Sequence, residues 1–87
     1  MIRKIKDVWH GKALVRIGKR GLTPQVIEEI RRHLKDKEVV KIRLLKSFIE
    51  KEGKERKALA EIIAKNVGAE LIGVRGYTVV LRRRKKA

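Results

Sequence analysis

The chain has 87 residues, enough for one domain and too few for a second core. A hydrophobic content of 43% argues against disorder, and the lack of cysteine excludes a disulfide scaffold or a thiolate metal site. Twenty-five Lys and Arg against ten Asp and Glu leave a net charge of +15, a self-repulsion that a polyanion relieves. Nucleic acid fits best, because each neutralised phosphate releases condensed counterions.

An anionic membrane fits less well, since it calls for an amphipathic basic helix with large apolar anchors. No window approaches the roughly 18 apolar residues of a membrane span. The run from Met1 to Asp7 lacks an apolar core of signal-peptide length. A soluble cytoplasmic protein is the expectation.

In chain order, residues 12–17 read as a short strand that Gly18 ends. A helix start follows. Thr23 suits the N-cap, Pro24 the first helical position, and Leu22 can staple onto Ile27. Val26, Ile27, Ile30 and Leu34 recur at helical spacing, which predicts a helix to about Asp36. Residues 38–45 are β-branched and largely alternating, a second strand. A polar connection comes next, with Phe48 and Ile49 as its large apolar residues and Gly53 as a break. Leu59, Ile62, Ile63 and Val67 share one face of a second helix over about 54–67, which Gly68 closes. Residues 69–75 and 77–83 are two strands joined at Arg75-Gly76 in a tight hairpin. The tail, 82–87, is basic.

The order β-α-β-α-β-β predicts a two-layer α/β sandwich. Its sheet is four-stranded and mixed, with the helices mainly on one face. Two strand-helix-strand units imply parallel pairs, and the hairpin adds an antiparallel strand. If Val15, Ile17, Val40, Ile42, Val79 and Leu81 face the helices, then Arg16, Lys41, Arg43, Thr78 and Arg82 lie on the other face. A slip of one residue in any strand reverses its assignment.

Gly18-Lys19-Arg20-Gly21 lies between the first strand and the first helix. Two glycines permit positive φ and close backbone approach. The following helix start offers N–H groups and the positive end of its dipole. Lys19 and Arg20 supply charge at the tip, Arg as a fork for phosphate and Lys as a mobile point charge. These parts suit a sugar-phosphate chain. The loop is neither a Walker loop nor a dinucleotide fingerprint.

Three segments in this order are similar to the CRM domain, the YhbY-like family. Ile17-Gly18-Lys19-Arg20-Gly21-Leu22-Thr23 with Val26-Ile27-Glu28-Glu29-Ile30 resembles its start. Glu38-Val39-Val40-Lys41-Ile42-Arg43 resembles its central strand, and Gly76-Tyr77-Thr78-Val79-Val80-Leu81-Arg82 its last strand. The likeness covers about residues 12–83 of a single domain, 1–87. It implies a fold like the C-terminal domain of bacterial translation initiation factor three, and RNA binding through Gly18 to Gly21. Single-domain prokaryotic members associate with precursors of the large ribosomal subunit, and plant members assist splicing. Family members usually carry a full helix before the first strand. Here about eleven residues precede it, which implies a short helix or an extended segment.

The residues expected to hold RNA are Gly18, Lys19, Arg20 and Gly21 in the loop, Arg16, Lys41 and Arg43 on the sheet, and Arg82, Arg83 and Arg84 near the end. The partner expected is ribosomal RNA or a pre-ribosomal particle. Other RNA roles, such as a chaperone or an intron or tRNA factor, and duplex DNA are the alternatives. With three aromatic residues in all, backbone and shape recognition should dominate. Trp9 either packs the N-terminal segment or stacks on a base. Tyr77 begins a strand and reads as half-buried, with stacking as its second role. Phe48 reads as a tether for its loop. His10 and His33 show no carboxylate partner spacing, and Ser47 sits outside any nucleophile motif. No active site, cofactor, metal or small-molecule substrate is implied, and a monomer is favoured.

Overall fold

The computed structural model describes residues 13–84. Strand β1 is Val15–Ile17, helix α1 Pro24–Lys37, strand β2 Val39–Leu44, helix α2 Lys46–Glu52, helix α3 Arg56–Val67, strand β3 Ala69–Arg75 and strand β4 Thr78–Arg83. The segment before the first strand, with Trp9 and His10, lies outside the described residues, as do Lys85 and Lys86 of the tail.

The four strands form one sheet in the order β1-β2-β4-β3. β1 and β2 are parallel, and β4 is antiparallel to both of its neighbours. The sandwich and its mixed sheet match the sequence expectation. The second strand-helix-strand unit needs a correction. β2 and β3 run the same way but do not touch, because β4 inserts between them. Its run Val79-Val80-Leu81 has no exposed surface, which suits the centre of a sheet.

Alternation decides the faces. Val15 and Ile17 of β1, Val40, Ile42 and Leu44 of β2, and Val79 and Leu81 of β4 join Ile30, Leu59 and Ile63 in one core. The register pairs Arg16 with Arg43, Arg43 with Thr78, Lys41 with Val80, and Val39 with Arg82. Paired residues share a face. Arg16, Lys41, Arg43, Thr78 and Arg82 therefore lie together opposite the helices. Val39 and Val80 lie there too and are buried, so the middle of that face is no exposed apolar patch. In β3 the register slips between Leu71 and Gly73, a bulge that leaves Ile72 as the extra residue.

Helix α1 begins as its sequence predicts. Thr23 is extended at φ −82°, and its Oγ1 accepts from the Val26 N–H at 3.2 Å. At the other end Lys35 and Lys37 sit where the helix dipole favours cations. Glu38 then turns the chain at φ +70°, a conformation most side chains avoid. Arg83 braces this corner. Its N–H donates to the Glu38 carbonyl at 2.7 Å, and its guanidinium donates to the Lys35 carbonyl at 2.7 Å.

The connection after β2 is not a plain loop. It contains α2, which starts at Leu45 and ends on the left-handed Gly53. Phe48 is its one buried side chain, which agrees with a tethering role. α3 brings Ala60 and Ala64 to the core beside Leu59, Ile63 and Val67, and small residues there let it lie close. Arg31 of α1 reaches the Asn66 carbonyl at 3.1 Å and ties the two long helices. The hairpin turn is Gly76-Tyr77, one residue later than Arg75-Gly76, since Arg75 pairs with Thr78. Gly76 has φ +55° and Tyr77 does not enter the positive region, the pattern of a type II′ turn. No described helix is long and apolar enough to cross a membrane.

Replacing Thr23 by Ala should lower unfolding free energy in urea by about 1 kcal/mol, while Thr23→Ser keeps it. Equal stability of the Ala variant would show that the cap bond contributes nothing to α1.

Candidate nucleic-acid interface

The Gly18–Gly21 segment is a hydrogen-bonded turn. The Gly21 N–H donates to the Gly18 carbonyl at 2.9 Å, which places Lys19 and Arg20 at the two corners. Both side chains are exposed, and among the described residues no carboxylate pairs with either. The glycines do different work. Gly21 is buried at φ +77° and redirects the chain toward α1. Gly18 permits close approach, for a Cβ there would stand 3.0 Å from Leu45 Cδ1.

The helix start supplies less than its sequence suggested. Pro24 has no N–H, the Val26 N–H goes to Thr23 Oγ1, and the Ile27 N–H goes to the Thr23 carbonyl. The cationic character of the loop therefore rests on side chains. A third one arrives from α2. Lys51 Nζ donates to the Lys19 carbonyl at 3.3 Å and keeps its charge beside the turn. Sequence reading missed Lys51 because it missed α2. Phe48-Ile49 ahead of Gly53 was the available signal, an apolar anchor just before a glycine helix stop.

The sheet cations form a second group. Arg16 and Arg43 are exposed and directly opposite across the β1–β2 seam. Like charges so placed repel, and a phosphate between them would relieve the repulsion. Lys41 is partly buried two residues along the same face.

The three arginines near the end differ from one another. Arg82 Nε and Nη2 both donate to Glu70 Oε1, at 2.9 and 2.6 Å, so its charge is already partnered. Arg83 serves the C-terminal carbonyls of α1, as described above. Arg84 is exposed. All three stand at the far end of the sheet from Lys19 and Arg20, because β4 runs against β1 and β2. The structure thus brings the loop and Lys51 together, sets Arg16, Lys41 and Arg43 along one face, and keeps Arg82 to Arg84 apart.

His33 does have a carboxylate neighbour, contrary to its sequence reading. Glu29 lies one helical turn earlier at 3.9 Å, a surface pair on α1. Glu50, Glu52, Glu55 and Glu61 are exposed, and among the described residues no three His, Cys, Asp or Glu gather as a metal site would need.

Comparison with known proteins now decides the family. The model of the CRS1/YhbY (CRM) domain matches residues 2–83. The chain belongs to the CRM family. This is a family of RNA-binding domains, and the strand-loop-helix carrying the Gly-Lys-Arg-Gly turn lies inside the matched span. Among solved structures, the chain is similar to the solution structure of the hypothetical protein SAV1595 from Staphylococcus aureus, which has been suggested to bind RNA. The two share 27% identity and a TM-score of 0.70, over 98% of this chain and 85% of that one. No curated protein matches the chain.

A Cβ at position 21 would make only ordinary contacts, 3.8 Å to Lys51 Nζ and 4.0 Å to Phe48 Cε1. The cost of Gly21→Ala therefore comes from the left-handed backbone alone, about 1–2 kcal/mol. In a domain of this size that lowers Tm by several degrees, about 4–8 °C per kcal/mol. Calorimetry showing an unchanged Tm would mean that position 21 does not hold its positive φ.

Proposed function

We propose that this CRM domain binds structured ribosomal RNA during assembly of the large ribosomal subunit and does so without catalysing a reaction. The observation that carries the reading is the turn itself, which holds Lys19 and Arg20 exposed at a strand-to-helix junction. A phosphate meeting that turn finds one mobile ammonium and one forked guanidinium, with Lys51 alongside. Backbone contact of this kind fixes position without reading sequence. Shape then selects the site, and the Arg16–Lys41–Arg43 face offers a second track for the same molecule. The net charge of +15 draws any polyanion in and speeds encounter. A cytoplasmic location belongs to the same proposal.

The direct test titrates a ribosomal RNA fragment with the protein across salt concentrations. Lys19→Ala with Arg20→Ala should weaken binding at least several-fold. The slope of log K against log salt should fall by about 0.7–0.9 for each phosphate contact removed. Superposable salt titrations for the double variant and the unaltered protein would remove the loop from the site. Duplex DNA of equal length, as competitor, separates an RNA binder from a general polyanion binder. Sequencing RNA cross-linked to the protein in cells separates ribosomal RNA from introns and tRNA.

A further inference from the structure

A cleft of about 940 Å³ opens between the end of α2, the start of α3 and the β3–β4 hairpin. The RNA-backbone reading makes no use of it. Its apolar lining comes from Ile49 and from Leu71, Ile72 and Val74 of β3. The bulge in β3 supplies part of this lining, because Ile72 is the residue left out of the ladder. One edge carries Tyr77, whose side of the hairpin turn leaves it 41% exposed. The Arg56 guanidinium sits over the Tyr77 ring, 5.1 Å from its centroid. Lys54 and Lys57 line the same cleft and, among the described residues, have no carboxylate partner and share the lining with one acidic residue, Glu55.

An apolar hollow with an aromatic ring on its edge and three cations around it matches a specific kind of occupant. The occupant needs a flat, polarisable body and an attached negative charge. A nucleotide has both. We infer that the cleft takes one unpaired base of the bound RNA, stacked against Tyr77 in the place over the ring that the Arg56 guanidinium holds, with its phosphate held by the displaced Arg56, Lys54 or Lys57. The inference rests on the RNA-binding reading and adds a base-holding subsite to it. Aromatic stacking is tolerant of base identity, since every base presents a π-face. The cleft is also at the roomy end of the roughly 300–1,000 Å³ usual for small-ligand pockets, so it discriminates poorly between bases. What it distinguishes is unpaired from paired, because a base inside a helix cannot enter.

The cleft and the Gly-Lys-Arg-Gly turn flank one short helix, α2. α2 carries Lys51 and Phe48 toward the turn and Ile49 into the cleft. A seven-residue helix is only about 10 Å long, so a short helix is all that separates the two sites. The turn holds the backbone and the cleft receives a base that has left its stack.

The test uses the full chain and two RNA hairpins, each closed by the same non-nucleotide tether so that no loop base is free, that differ only in one bulged 2-aminopurine nucleotide. With unaltered protein, the hairpin carrying the bulge should bind more tightly, and its 2-aminopurine emission should change on binding. Tyr77→Ala should weaken binding of the bulged hairpin by roughly 5- to 150-fold, the effect of one lost stack, and leave the fully paired hairpin unchanged. Tyr77→Phe should behave as the unaltered protein, since the ring is kept, and Arg56→Gln should give a smaller loss on the bulged RNA alone. Circular dichroism checks that each variant is folded. The inference is overturned if Tyr77→Ala affects both hairpins equally or neither. The outcomes for the turn are separate: Lys19→Ala with Arg20→Ala should weaken both hairpins. Failure of the unaltered protein to bind either RNA would sink both readings together.

Discussion

Where the parallel seam between β1 and β2 ends, the Leu45 N–H donates to the Ile17 carbonyl at 2.9 Å. Both chains leave the sheet from that rung. One enters the Gly18–Gly21 turn and the other enters α2, so turn and helix are neighbours from their first residues. Gly18 eases the closeness, because a Cβ there would stand 3.0 Å from Leu45 Cδ1 and make that side chain give way by a few tenths of an ångström. Phe48 maintains it by burying its ring in the core one turn into α2. The position of Lys51 beside Lys19 and the presence of Ile49 in the neighbouring cleft both follow from this junction.

A net charge of +15 says nothing about where charge is available. Arg83 spends its donors on carbonyls of α1, and Arg82 is paired with Glu70. These arginines hold the corner where β4 ends against α1. Among the described residues Lys19 and Arg20 have no such duties, and they are set outward on a turn whose geometry the backbone fixes. Arg16 and Arg43 form an intermediate case, aligned by the β1–β2 register and repelling each other across it. The difference between structural and available cations is a matter of neighbours, and composition cannot reveal it.

Much of the fold was legible because local signals were strong. Thr23-Pro24 marks a helix start, Gly68 marks a helix end, and alternation in β1, β2 and β4 sorted Arg16, Lys41, Arg43, Thr78 and Arg82 onto one face. The misses have physical reasons. α2 is seven residues long with a single buried side chain, too short to show a period. The order of strands depends on β4 entering between β2 and β3, and no local pattern encodes which strand becomes central. The hairpin turn was displaced by one residue because a Gly can occupy either position of a tight turn. That slip also set Tyr77 half-buried at the start of the strand, whereas it stands exposed on the turn. Of the candidate site, the cationic turn was visible as a motif. Its hydrogen bonding was not, because Thr23 accepts from the Val26 N–H and Pro24 has no N–H to offer.

The bulge in β3 also bears on how the domain behaves in company. Among the described strands β1 and β3 are the two borders of the sheet. β1 is only three residues long, and β3 is broken in register midway. Neither presents a long straight row of unsatisfied amides on which another copy could build. A protein that accumulates on long polyanions meets its own kind at high local density. Short and kinked borders suppress strand-to-strand joining there, where crowding on a shared scaffold would otherwise promote it.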